Sequence, residues 1–223
     1  MIPFKSFRYI FPPRPENALP QEELIKYDNG KYIAQPKLNG DLMMVFTNGK
    51  QTILKNRHKA DFKSIQITLD ALYRETLDGT ENKWSVLIGE YMIKSKKNSE
   101  KKVWNQKFVI FDIIVFDGIQ LLGKTFSERI ELLDKLYGKE EIALTKTGTY
   151  HDKFLYATSI ENVFRVKSFT TDFAKIWNEL VEIDMYEGLV LKRADAKLEN
   201  GNSPTNNSGS QLKFRKSTKN YMF

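Results

Sequence analysis

Lys37 stands in Lys37-Leu38-Asn39-Gly40, between two stretches of strand-forming residues. A lysine at a strand end before a glycine turn can point into a cleft, where a neutral amine is a nucleophile. It must be unprotonated to attack, so neighbouring positive charge or desolvation helps. Taken alone, the tetrapeptide reads as a surface turn. Arg57 carries a fork of donors suited to a phosphate, though in an exposed turn an arginine is ordinarily a solvated charge. Glu90 sits at a strand end, a position usually on the surface. Phe111 lies inside FVIFDIIVF, where an aromatic is ordinarily core, as Phe108 and Phe116 are expected to be. Asp112 and Glu187 are carboxylates of the kind that hold a divalent cation, Glu187 the better placed. Asp112 could equally cap backbone or form an ion pair. Lys213, Arg215 and Lys216 form a basic cluster late in the chain. The sequence has no cysteine and only two histidines, His58 and His151. Disulfides, thiolate zinc sites, cysteine nucleophiles and multi-histidine metal sites are thereby excluded.

The elements that must position these groups can be read from pattern. Pro12, Pro13, Pro15 and Pro20 break regular structure at the start, and Glu22–Tyr27 has room for one helical turn. Lys31–Pro36, Asp41–Phe46 and Gln51–Asn56 read as strands, with Asn48-Gly49 as a hairpin turn between the last two. Helical spacing over Phe62–Leu77 places Ile65, Leu69, Leu72 and Tyr73 on one side. Trp84–Met92 and Phe108–Phe116 are strands. Between them Lys94–Lys107, with six lysines and one glutamate, reads as a loop or solvated edge. Asp117-Gly118 turns the chain back through Ile119–Leu122. Ser127 is the expected cap of a helix over Glu128–Leu136, stopped by Gly138. Thr171–Val181 is a second amphipathic helix; Glu187–Lys192 and Gln211–Arg215 are strands. Asn200–Ser210, rich in Gly, Ser, Asn and Pro, is expected to be a mobile surface loop. Antiparallel hairpins without regular βαβ repeats predict an α+β fold.

The 223 residues suit one domain with its own core. Lysine and arginine number 35 against 28 acidic residues, giving +7 and pointing to an anionic partner. No apolar run approaches the ~20 residues of a membrane span. The default is a soluble protein in a reducing compartment.

In order along the chain, KLNG (37–40), Arg57 in LKNRHK, Gly89-Glu90 in VLIGEYM, Phe111-Asp112, Glu187-Gly188-Leu189-Val190 in YEGLVLKR, and Lys213-Phe214-Arg215 in QLKFRKS resemble the motifs of the covalent nucleotidyltransferase superfamily. That superfamily comprises ATP-dependent DNA ligases, RNA ligases and mRNA capping enzymes. Glu128-Arg129 is similar to a family pair that opens a helix. Spacings of 20, 33, 21, 76 and 26 residues between Lys37, Arg57, Glu90, Phe111, Glu187 and Lys213 resemble those of compact RNA ligases. The resemblance spans Gln35–Lys216.

It implies an adenylation-domain fold, with antiparallel sheets flanking a nucleotide cleft. The expected layout is one domain over 1–223, with 1–30 as an N-terminal arm and 217–223 as a short tail. It implies that Lys37 attacks the α-phosphorus of ATP, and that Lys213 with Arg215 or Lys216 offsets the growing phosphate charge. Glu90 would receive ribose hydroxyls, Phe111 would stack on the purine, and Arg57 would bind phosphate. Gln35 joins the nucleotide-binding set. Magnesium or manganese is implied, held by Glu187 with Asp112 at most in its outer shell.

Asn39 replaces the usual aspartate of DNA ligases, and Leu42 stands where they carry arginine. These departures lead toward an RNA ligase joining 5′-phosphate to 3′-hydroxyl ends of RNA or RNA-containing duplexes, with nicked DNA a further substrate. Only seven residues follow Lys216, too few for an oligonucleotide-binding or helical domain. Lys94, Lys96, Lys97, Lys101 and Lys102 and the basic tail would then contact phosphates, and Lys5, Arg8 and Arg14 add a basic N-terminal arm without an assigned place. A monomer in the cytoplasm is expected, the host's if the source is viral. The alternatives are an ATP-dependent DNA ligase, a GTP-dependent mRNA guanylyltransferase, and a non-catalytic nucleic-acid-binding module.

Overall fold

The computed structural model describes residues 9–15, 18–48, 51–62, 65, 69, 83–139, 142–145, 148–203 and 205–217. Its strands are β1 (Arg14–Pro15), β2 (Ala18–Leu19), β3 (Tyr32–Leu38), β4 (Asp41–Thr47), β5 (Thr52–Asn56), β6 (Ser85–Tyr91), β7 (Lys96–Lys97), β8 (Val103–Trp104) and β9 (Phe108–Phe116). They continue with β10 (Ile119–Gln120), β11 (Ile142–Thr145), β12 (Gly148–His151), β13 (Leu155–Ala157), β14 (Val163–Val166), β15 (Tyr186–Arg193), β16 (Asn207–Ser208) and β17 (Gln211–Arg215). The α-helices are α1 (Leu24–Tyr27), α2 (Phe126–Tyr137) and α3 (Phe173–Leu180).

Two sheets dominate. One has four strands in the order β2-β17-β15-β3; the other has seven, with the path β13-β14-β9-β6-β4-β5 and β10 beside β9. Pairing is antiparallel except for β14 with β9 and β17 with β2. This is the expected α+β architecture. Period-two alternation explains how each strand serves two environments. In the small sheet Ala34, Leu38, Leu189, Leu191 and Phe214 join α3's Phe173, Ile176, Trp177 and Leu180 in one core. The residues between them face the other way. The large sheet shares that core through Val109, Leu155, Phe164 and Val166, and has two further clusters. Met43, Val45, Phe108 and Ile110 pack with Leu133 and Tyr137 of α2. Met44, Phe46, Val86 and Ile88 pack with Tyr9 and Ile10.

Several expectations change. The cap of α2 is Thr125, two residues earlier than Ser127: its side chain accepts from Glu128 N–H while Glu128 receives the Thr125 N–H, a reciprocal capping box. Ser127 Oγ instead donates to the Ala194 carbonyl. Lys94–Lys107 is a β7–β8 hairpin, closed by Asn98 accepting from the Glu100 and Lys102 N–H groups and anchored by buried Trp104. The Asn200–Ser210 stretch is tied to the N-terminal arm: Phe11 N–H donates to Gly201 O, Arg14 N–H donates to Asn206 O, and β1 pairs β16. Of the helix expected over Phe62–Leu77, only Phe62, Ile65 and Leu69 are described, and they pack on the α2-side core. Leu72 and Tyr73, like Gly49, Lys5 and Arg8, lie outside the described residues. No helix among those residues is long and apolar enough to cross a membrane.

Candidate active site

The cleft face of the four-stranded sheet is a grid of chemistry-bearing residues. Cross-strand partners place Gln35, Val190 and Lys213 in one row, and Lys37, Gly188 and Arg215 in the next. Lys213 and Arg215 reach the same face because they alternate with Leu212 and core Phe214. Glu187 reaches it differently. By alternation with Leu189 and Leu191 it would point into the core. A β-bulge intervenes: Tyr186 pairs Leu38 and Gly188 pairs Lys37, leaving Glu187 as the extra residue. Tyr186 then fills the core and Glu187 turns to the cleft. Gly188 permits this, with φ +146° and a backbone so close to Phe214 that an added Cβ would lie 2.0 Å from its carbonyl oxygen.

Glu187 Oε2 pairs with Lys37 Nζ in a short contact, and lies 3.2 Å from Arg215 Nη2. Asn39 completes the arrangement. With its amide oriented to satisfy both neighbours, its nitrogen donates to Glu187 Oε1 at 3.1 Å and its oxygen accepts from Lys96 Nζ at 3.0 Å. Lys213 is a cation among cations. Burial first, then Arg215, Lys37 and Arg14, lower its pKa below the ordinary lysine value.

The seven-stranded sheet supplies the opposite wall. Glu90, on β6, accepts the Gly40 N–H at 3.1 Å. Gly40 must be glycine for that approach, since a Cβ there would lie 2.5 Å from the Tyr91 carbonyl oxygen. Burial, outweighing Lys37 and the Gly40 N–H, raises the Glu90 pKa to about 7. Phe111 is also a bulge residue: Ile110 pairs Gly89 and Asp112 pairs Ile88, so Phe111 is extra and half-exposed between buried neighbours. Gln35 lies beside it, 2% exposed, donating through Nε2 to Ser168 Oγ and the Phe111 carbonyl. Because that carbonyl only accepts, the amide orientation is fixed, and Gln35 Oε1 is left buried without a partner among the described residues.

Lys37, Gln35, Glu90, Phe111, Lys213, Arg215 and Arg57 all line one cavity of about 990 Å³, large enough for a nucleotide. Glu187 is not among its lining residues and meets the cavity only through its contact with Lys37. Arg57 enters from the exposed turn after β5, with its Nε donating to His58 Nε2. Two other expected members stand further off. Asp112 is 2% exposed and held by both forks of Arg129, at 2.8 and 3.0 Å. Burial alone would raise its pKa, yet Arg129 and Lys192 hold it below the ordinary carboxyl value. Its carboxylate is therefore committed behind the cleft wall and not offered to a cation. Lys216 turns away too, donating to the Val181 and Ile183 carbonyls beyond α3, where a cation complements the helix end.

Sequence reasoning missed Lys192 and the Asn39–Lys96 link, and named Arg14 only as part of a basic arm without a place. Lys192 is 5% exposed, with Nζ 4.9 Å from the Phe111 ring centroid and 4.5 Å from that of Phe126. Burial, only partly offset by Asp112, brings its pKa down to about 8. Alternation with Gly188 and Val190 already put it on the cleft face.

Residues 9–207 match the family of the mRNA capping enzyme catalytic domain. The chain belongs to that family. It is thereby a member of the covalent nucleotidyltransferase superfamily that its motifs resemble. A search of curated proteins gave no match. Among solved structures, the ligase domain of M. tuberculosis LigD is similar with a TM-score of 0.61 at 18% identity, covering 92% of this chain and 60% of that one. A mycobacterial DNA ligase D complexed with ATP and MES gives 0.61 at 18%, covering 94% and 62%. At that identity the likeness is one of fold, and this chain spans about three-fifths of those chains' length.

Capping-family chemistry on polyphosphates raises the question of a divalent cation. Among the described residues no group of three or more His, Asp or Glu is placed to hold one. The donor set fits magnesium bound in its usual manner, through one or two carboxylates plus phosphate oxygens and water. Glu187 would be the protein ligand, exchanging its contacts to Lys37 and Arg215 for the cation.

Proposed function

We propose that this protein is an ATP-dependent RNA ligase, acting through a nucleotide joined covalently to Lys37 and sealing 5′-phosphate to 3′-hydroxyl ends. The observation that carries the reading is Lys37 Nζ at the cavity floor, in contact with Glu187 and across the sheet from Arg215. In the first step the Nζ–P bond forms and the bond from the α-phosphorus to the pyrophosphate oxygen breaks. The electron pair leaves with pyrophosphate, and the Nζ proton passes to solvent water. Lys213 and Arg215 offset the charge developing on the transferred phosphate. A divalent cation at Glu187 would neutralise phosphate charge when bound. The N–P bond then breaks as a 5′-phosphate oxygen takes the AMP, and a 3′-hydroxyl finally displaces AMP from that end.

ATP is favoured by the orphaned Gln35 Oε1 beside Phe111. A buried acceptor suits the exocyclic amine of adenine. RNA is favoured by Asn39 and Leu42 in place of the DNA ligase residues. A second reading, transfer of GMP to an RNA 5′ end, is supported by the capping-family match. Incubating the protein with α-labelled ATP or GTP and magnesium separates the two. ATP labelling that is lost in Lys37→Ala is expected. Labelling by GTP alone would move the assignment to capping.

A further inference from the structure

The N-terminal arm enters the cleft, and nothing in the chemistry above uses it. Arg14 lines the same cavity as Lys37, Arg57 and Lys213. Its Nε donates to Asn207 Oδ1 at 2.9 Å, which fixes the guanidinium plane. Among the described residues no carboxylate lies within ion-pair distance of it. The arm is also built to stay. Phe11 N–H donates to Gly201 O, Asn206 Nδ2 donates back to Phe11 O, and β1 pairs β16 in parallel register. Gly201 is packed so closely under it that an added Cβ would lie 2.2 Å from the Phe11 carbonyl oxygen. A cation held in a cavity already rich in cations raises the energy of the empty site. Lys213 feels it directly, since Arg14 contributes to its depressed pKa. Such an arrangement stabilises a bound anion.

We propose that Arg14 is a phosphate-binding residue of the active site, held in place by the clasp that Gly201, Asn206, Asn207 and Ser208 form with the arm. Its two terminal nitrogens offer the parallel donors that a phosphate accepts. The phosphate has two sources in the proposed reaction: the outer phosphates of the nucleotide, and the 5′-phosphate of the nucleic-acid end. This inference rests on the cleft being a nucleotidyl-transfer site, but its test does not require turnover.

Binding is measured by titration calorimetry on the full chain carrying Lys37→Ala, with pyrophosphate, ATP, AMP and a 5′-phosphorylated RNA oligonucleotide as probes. Adding Arg14→Ala should weaken one phosphate source by about 10-fold or more, the scale of a lost charged hydrogen bond. Weaker pyrophosphate and ATP with unchanged AMP and RNA identifies the outer phosphates. Weaker 5′-phosphorylated RNA, against an unchanged 5′-hydroxyl control, identifies the end. Arg14→Lys should recover only part of the loss, because it keeps the charge without the fork. Gly201→Ala, which displaces the clasp and leaves the arginine intact, should reproduce the Arg14→Ala pattern. Thermal melting of each variant separates lost binding from lost folding. Folded Arg14→Ala protein that binds every probe within twofold of its parent overturns the proposal. So does a parent that binds neither pyrophosphate nor phosphorylated RNA. If the probes behave as expected but the wild type forms no adduct with any nucleotide, the ligase reading falls and this one stands.

Discussion

At the residue scale, Lys37 and Glu187 act as a pair. Each is the other's nearest charge, with side chains 26% and 16% exposed. Removing either partner changes both. Lys37→Ala should abolish the mass increase of one AMP after incubation with ATP, as read by intact-protein mass spectrometry. Retention of the full adduct would sink the nucleophile assignment. Glu187→Ala should reduce adduct formation by about 100-fold or more across all manganese concentrations, the scale of a lost group at the reacting atoms. An unchanged metal dependence would remove Glu187 from that role. Glu90 yields a pH prediction. Its folded pKa of about 7 stands above the ordinary 4.5, so the native state holds a proton that the unfolded chain releases. The stability this confers is fully present below about pH 4.5 and is lost as pH rises through 7. Glu90→Gln imitates the protonated form. Relative to that variant, the wild type should lose roughly 1–3 kcal/mol between pH 4.5 and 8, measured by urea unfolding. Parallel profiles would show that Glu90 ionises normally.

At the element scale, the two bulges matter most. The strand containing YEGLVLKR was legible from its apolar residues, and so was FVIFDIIVF. Strict alternation along either strand puts Glu187 with the core leucines and gives Phe111 no exit from the run. The extra residue in each ladder reverses that, and sequence pattern carries no register. Gly188 is the local signature of one bulge. Gly188→Ala would force a Cβ against Phe214 O and a side chain into positive φ. We expect a loss of about 2–4 kcal/mol in chemical denaturation, from strain and displaced packing. Adduct formation should fall further than stability explains, because Glu187 would be re-aimed. A variant as stable and active as the wild type would show that the bulge is not held by Gly188. The α2 cap illustrates a smaller misreading. Ser127 and Thr125 are both good cap residues, and the choice turned on Glu128 standing three residues after Thr125.

At the scale of the whole molecule, the charge of +7 is unevenly used. Lys37, Arg57, Lys213, Arg215 and Arg14 converge on the cavity, while Lys94, Lys97, Lys101 and Lys102 are exposed on or beside the β7–β8 hairpin. Lys96 links the two groups, reaching Asn39 from the hairpin. If the hairpin neutralises nucleic-acid phosphates, affinity should fall steeply with salt. Replacing Lys94, Lys97 and Lys101 by alanine should then flatten the slope of log K against log salt by about 2, on the scale of roughly 0.7 per single-strand contact. Fluorescence anisotropy of labelled RNA measures this, and adduct formation on Lys37 provides the internal control. An unaltered slope would move the docking surface elsewhere. Starting from protein already carrying AMP, RNA-containing ends should seal faster than an all-DNA nick. Equal rates would leave the nucleotidyl-transfer chemistry without the preference for RNA.

The sequence by itself picked out, in order, Gln35, Lys37, Arg57, Glu90, Phe111, Lys213 and Arg215, which line one cavity, and gave the α+β class. It also put Lys213 and Arg215 on one face, because those properties follow from residue type and period. It could not determine what depends on contacts between distant segments. Asp112 read equally as a cation ligand or an ion-pair partner until Arg129 took it, and Lys192 had no reading until the Phe111 and Phe126 rings enclosed it. Arg14 had no place until Gly201 and Asn206–Ser208 bonded to the arm, and Lys216 read as a cleft residue until the end of α3 took its ammonium. Pairing register, burial and the direction of a long flexible side chain are set by which surfaces meet, and that is decided only when the sheets pack together.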